Sequence, residues 1–205
     1  MKIIKYKKEK SGIYKIYLED GSTIDTYEDV LINNNILYKD DLDTKLLKKI
    51  EASNDYQKIY NSCIKYISLR VRSTKEIKEY LYRKNIDNNT IDKIIKELTD
   101  KNILNDNLYT ELFIKDKLLL TNWGPYKIIN RLRETGIDNN TIDKYMYLFK
   151  EADEINKINK IINKSIKSNH KNNINIRNKI YLNLINLGYN NDLIVTELNN
   201  YFKEE

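Results

Sequence analysis

The string Ile-Asp-Asn-Asn-Thr-Ile-Asp-Lys occurs twice, at residues 86–93 and again at 137–144, a shift of 51 residues. A unit of that size cannot bury its apolar face alone, so it must stack on its neighbours. The repeat therefore predicts tandem helical units forming an elongated curved rod. Such architectures more often bind a large partner than enclose a small substrate.

The residues around the string give it physical content. Ser73-Thr74-Lys75-Glu76 is a capping box, in which the Ser73 hydroxyl takes the amide of Glu76 and the carboxylate reaches back. The helix it starts runs through Ile77, Tyr80 and Leu81 and stops near Asn85. Asp87 caps the next helix, whose apolar stripe is Ile91, Ile94, Ile95 and Leu98. In the second copy Gly124-Pro125 replaces Ser73-Thr74, with Pro at the first helical position. Ile128 and Leu132 follow, then Gly136, then a stripe of Ile142, Tyr145, Met146 and Phe149. A weaker third copy lies 52 residues further, with Ile180, Leu184, Gly188, Ile194 and Leu198, and with Glu197 breaking its stripe. Asn85, Gly136 and Gly188 share one position just past a helix end, where a left-handed conformation lets following amides satisfy the last carbonyls. First helices are expected near residues 56–68, 108–120 and 152–167. Leu104-Asn105-Asp106 ends one unit and caps the next, and the polar stretch 168–175 is expected to be a flexible joint.

Ahead of these units the pattern is different. Residues 2–7 and 12–18 have strand character. Asp20-Gly21 signals a hairpin turn, and 22–27 is the return strand. Residues 28–33 read as a short helix. Asp41 or Asp43 caps another through Leu46, Leu47 and Ile50, and a separate helix with the stripe Tyr60, Cys63, Ile64 and Ile67 follows Asn54. The fold class is therefore mainly α: three tandem three-helix, helix-turn-helix-like repeats after a small β-hairpin and short-helix region. The expected divisions are 1–53, 54–104, 105–150 and 151–205.

Several chemistries have little support. The single cysteine, Cys63, sits in an apolar stripe and reads as a buried thiol, which fits a reducing cytoplasm. The single histidine, His170, lies in the polar joint, so no Ser/His/Asp arrangement has a flanking motif. No Cys/His cluster has metal-ligand spacing, and no glycine-rich phosphate loop is present. No apolar run is long enough to span a membrane, and the charged start does not resemble a signal peptide. The chain is expected to be a monomeric, cytoplasmic binding protein, with no catalytic, cofactor or metal site.

Charge points to a partner. The net charge is +6, and residues 54–104 hold eleven basic against seven acidic groups. Residues 1–53 are neutral, and 151–170 hold four basic against three acidic groups. A basic patch favours a polyanion. Arg70 and Arg72 precede Ser73, and Lys75 follows it. Lys115 and Lys117 precede Trp123-Gly124-Pro125-Tyr126-Lys127, with Arg131 and Arg133 beyond. Basic groups beside exposed aromatics can hold phosphates and stack on bases. Trp123 reads either as such a platform or as a packing residue at a helix entrance, and Tyr126 reads as exposed.

Tyr66-Ile67-Ser68-Leu69-Arg70-Val71-Arg72-Ser73 is followed by Glu76-Ile77-Lys78-Glu79-Tyr80-Leu81, then Ile95-Lys96-Glu97-Leu98. Leu104-Asn105-Asp106, Tyr109 and Trp123-Gly124-Pro125 continue the series, followed by Ile128, Leu132 and Gly136-Ile137. In this order and spacing the blocks carry a resemblance to a known family, the RecX regulators of the RecA recombinase. It covers 55–150 well and the last unit in outline, and the start resembles the longer members from low-GC bacteria. Asn85 and Asn102 stand where the family usually has Gly, and Asp116 interrupts a normally basic run. The resemblance implies a cofactor-free protein that binds the RecA–single-stranded DNA filament and mainly inhibits recombinase activity in recombination and repair. It leaves Arg70, Arg72, Lys75, Lys115, Lys117, Tyr126, Lys127, Arg131 and Arg133 as the expected filament contacts. The alternative is a helix-turn-helix module that binds DNA directly.

Overall fold

The structure, a computed structural model, describes residues 1–9, 12–168 and 174–203. His170 and most of the expected flexible joint lie outside the described residues. The chain divides into two compact units: residues 1–71 with 88–90, and residues 72–87 with 91–205.

The first unit opens with an antiparallel sheet in the order β1-β2-β3, made of Ile3–Lys8, Ile13–Leu18 and Thr23–Tyr27. The expected hairpin is thus a three-stranded meander, because β1 pairs with β2 from Ile3↔Leu18 to Lys8↔Tyr14. Alternation sends Ile16, Leu18 and Thr26 inward, where Val30, Leu31, Ile36, Leu42 and Ile50 complete a core. Helix α1 is Glu28–Asn33. Asp43 caps α2, Thr44–Ser68, by accepting from Leu46 N at 2.6 Å. Contrary to the expectation of two separate helices, Asn54 does not end one. It sits within α2, where its side chain accepts from Thr26 Oγ1 and donates to Asp25 O, pinning the helix to β3. Cys63 is fully buried on this helix.

The second unit holds α3 (Thr74–Tyr82), α5 (Asp106–Leu120), α6 (Pro125–Glu134) and α7 (Asn139–Asp143). It also holds α8 (Glu151–Ser168), α9 (Ile174–Leu187) and α10 (Asn191–Lys203), and most of α4 (Asn88–Asp100). Both halves of the Ser73 capping box are present, and Pro125 opens α6 after Gly124. Tyr109, Ile114, Ile128, Ile129, Leu132, Ile137 and Ile142 form one core. Ile158, Ile162, Ile180, Leu184, Tyr189, Ile194 and Leu198 anchor another.

The identical strings end differently. Asp138 caps α7 by accepting from Thr141 N at 3.0 Å, yet α7 stops after five residues while α4 runs for thirteen. A 3-10 turn, Met146–Leu148, takes its place, and Met146 is exposed. The expected stripe through Tyr145, Met146 and Phe149 is therefore not one helical face. Residues 145–149 are five large side chains in succession, and such a run defines no single stripe to hold a helix against a core.

The shared position after each helix behaves as expected. Asn85, Gly136 and Gly188 have φ of 57°, 87° and 85°. Beyond them Ile86, Ile137 and Tyr189 donate to Leu81, Leu132 and Leu184 carbonyls, the Schellman pattern. Two of these ends meet the start of an earlier helix. Ser73 Oγ donates to Thr135 O at 2.7 Å and Lys75 Nζ to Glu134 O at 3.0 Å. One period on, Gly124 N donates to Leu187 O at 2.7 Å, Tyr126 N to Gly188 O at 3.0 Å and Lys127 Nζ to Asn186 O at 3.2 Å. Carbonyls left over at one helix end thus satisfy donors at another helix start, with the dipoles aligned favourably. Ser73 is fully buried and serves both its own helix and this joint. Ser73→Ala is expected to cost about 2 kcal/mol, read as a lower urea midpoint with unchanged slope.

Candidate functional site

The joint between α6 and α9 leaves an open groove of about 550 Å³. Helix α6 and its entrance supply Trp123, Tyr126, Lys127, Asn130, Arg131 and Glu134, and the end of α9 supplies Ile185, Asn186 and Gly188. Lys127, Arg131 and Glu134 follow at helical spacing, so one face of α6 presents them together.

Two cations stand over the Trp123 ring. Lys117 Nζ, from α5, stands 5.0 Å from its ring centroid and Lys127 Nζ stands 5.1 Å away. The ring packs against the core of α5–α7, which bears out the packing reading, and Trp123 also lines the groove. Tyr126 is 53% exposed, and its hydroxyl accepts from Asn190 Nδ2 at 3.3 Å. Arg131 pairs with Glu134 at 2.6 Å, with both side chains more than half exposed. A pair so exposed is worth well under about 1 kcal/mol, and an anion can displace its carboxylate.

The expected contacts separate into groups. Tyr126, Lys127 and Arg131 line the groove, and Lys117 joins them through Trp123. Lys75 stands at the end of α6, on Glu134 O. Lys115 faces Glu111 instead, and that carboxylate raises its pKa. Arg133 is held by Asn139 Oδ1 and Asn130 Oδ1. Arg72 is drawn inward, its side chain 12% exposed and 3.8 Å from Glu76. Arg70 belongs to the first unit, where its guanidinium donates to Val71 O.

Sequence reasoning missed Asn186, Asn190 and Lys157. The first two reach the groove from 59 and 64 residues away, and only the 52-residue period hints at their side of the joint. Lys157 donates to the carbonyls of Leu118 and Thr121, closing the end of α5, and burial lowers its pKa. Nearby, Tyr189 donates to Asn122 O at 3.1 Å. Burial foremost, with Glu154 adding to it, pushes its pKa to about 12, so the phenol remains a neutral donor. Among the described residues no group of His, Cys, Asp or Glu is placed to hold a metal, and no helix is long and apolar enough to cross a membrane.

Tandem helices docked end to start, with a basic and aromatic groove at a joint, define a helical-repeat protein. Comparison with known proteins makes this specific. A family model described as the first three-helix domain of RecX matches residues 60–98. The regulatory protein RecX of Lactococcus lactis is 30% identical over 189 residues, covering 89% of this chain and 70% of that one. The RecX of Halalkalibacterium halodurans is 28% identical, covering 76% of this chain but 60% of its own length, so this chain spans less than two thirds of that relative. A crystal structure of a regulatory protein RecX superposes with a TM-score of 0.80 at 22% identity, covering 100% of this chain and 99% of that one. The chain belongs to the RecX family of regulatory proteins.

Proposed function

We propose that this protein binds the RecA–single-stranded DNA filament and mainly inhibits the recombinase, through the α6–α9 groove. The observation that carries the reading is the gathering of Tyr126, Lys127 and Arg131 beside the cation-flanked Trp123. Phosphates suit the two basic groups, and the aromatic side chains suit bases or apolar protein side chains. Family membership supports the regulatory role. We assign the three-helix repeats to 54–104, 105–150 and 151–205, and place the protein as a monomer in the cytoplasm, without a catalytic step. Two helix-start joints of like construction support a rigid set of helices that can lie along a repeating polymer.

The test is RecA-promoted strand exchange with increasing amounts of this protein. Inhibition at amounts below one molecule per recombinase protomer is expected. Full-speed exchange at equimolar protein overturns the reading. Retention on bare DNA without any effect on exchange would instead assign a direct DNA-binding module.

A further inference from the structure

We propose that α8 carries a second binding site, for the phosphate backbone of single-stranded nucleic acid, formed by Lys160, Lys164 and Lys167. It lies on a different helix from the groove and stands whether or not the groove engages the filament.

Three observations lead to it. First, the three lysines recur at i, i+4 and i+7, so they fall within roughly 60° of arc on one helix face. All of them are exposed. Second, charge along α8 is segregated. Its acids, Glu151, Asp153 and Glu154, stand in the first turn, and none follows in the helix. Lys160, Lys164 and Lys167 accordingly have no carboxylate within ion-pair distance among the described residues, whereas Lys75, Lys78, Lys101 and Lys115 each face one. Summed over residues 151–170, four basic and three acidic groups look nearly neutral, which hid the row. Third, the row has polar company: Asn163 lines the same open surface as the three lysines.

The geometry suits a strand better than a point anion. Successive lysines rise by ~4.5–6 Å along the helix, which is of the order of one nucleotide step in an extended backbone. Lys160 also lines a cavity of about 450 Å³ that reaches Trp123 and is lined by Lys150, Asp153 and Glu154 as well. A lipid surface is a poorer match. Membrane-surface helices insert an exposed apolar face, but Ile158, Ile161 and Ile162 of α8 are buried in the core of α8–α10.

The experiment titrates the full chain with a fluorescein-labelled oligothymidylate, free of recombinase, at several salt concentrations. Wild type is compared with Lys160→Gln/Lys164→Gln/Lys167→Gln and with the triple Arg variant, with helical circular dichroism confirming each fold. Each phosphate contact on a single strand contributes about 0.7 to the log–log salt slope. The Gln variant is expected to lose about 2 from that slope and to bind roughly tenfold more weakly, while the Arg variant retains both. An unchanged slope and affinity in a folded Gln variant overturns the proposal. So does wild-type binding to phosphatidylserine vesicles without binding to the oligonucleotide. The groove is read separately, by strand exchange with Lys127 and Arg131 altered.

Discussion

Gly188→Ala is expected to be the most damaging single-methyl change in this chain. Gly188 sits at φ +85°, and an added Cβ would stand 2.4 Å from Lys127 N and 2.6 Å from Lys127 Cβ. The left-handed conformation alone costs an L-residue about 1–2 kcal/mol. The clash adds to that, because the obstructing atom is backbone at the start of α6 and cannot rotate away. The facing residue is equally constrained: a Cβ on Gly124 would stand 2.5 Å from Gly188 O. The joint therefore has glycine on both sides of a backbone contact, bridged by Gly124 N to Leu187 O and Tyr126 N to Gly188 O. A total loss of about 3 kcal/mol or more is expected, measured by urea unfolding. Gly21→Ala is the control. Its φ is +81° with nothing within 4 Å of the added atom, so only the conformational part should be lost. Equal losses at the two positions would show that the joint contributes nothing.

The second large effect is functional. Reversing Lys127 and Arg131 together to Glu is expected to weaken inhibition of strand exchange by at least about tenfold, with the fold retained. Arg131 is an exposed side chain whose ion partner is displaceable, so its reversal affects a partner more than stability. Lys127 contributes in addition to the joint through Asn186 O and to Trp123 through its charge. Lys127→Met with Arg131→Glu separates the roles, since it preserves apolar packing while removing both positive charges. Lys115→Glu serves as the off-groove comparison. It faces Glu111 away from the groove and should leave inhibition within about twofold of wild type. Comparable losses for the groove and Lys115 variants would remove the groove from the mechanism.

The parts of the fold that were legible in the sequence are those set by local chemistry. The Ser73 capping box, Pro125 at a helix start and the left-handed positions of Asn85, Gly136 and Gly188 all depend on a few neighbouring residues. The parts that were not legible depend on distant partners. Asn54 looks like a break, yet contacts from β3 make it an anchor inside a 25-residue helix. The repeated octapeptide starts a helix in both places, but the residues after it decide whether the helix lasts. The site shows the same division. Lys127 and Arg131 share a face by helical spacing alone. Nothing local says that Arg72 turns inward to Glu76, or that Lys115 and Lys117 diverge toward Glu111 and Trp123. Asn186 reaches the groove only because α9 ends where α6 begins.

If the groove is the filament site, it recognises a recombinase-coated strand in preference to a bare one. The direct measurement is retention of the protein on immobilised single-stranded DNA with and without bound RecA, at near-physiological salt. Trp123, the single tryptophan, reports groove occupancy through its emission. Tighter retention on the coated strand is expected, with a change in Trp123 emission that is lost in the Lys127→Glu/Arg131→Glu variant. Retention on the coated strand that the Lys127→Glu/Arg131→Glu variant keeps in full, or an emission unaffected by the coated strand, would contradict this role for the groove.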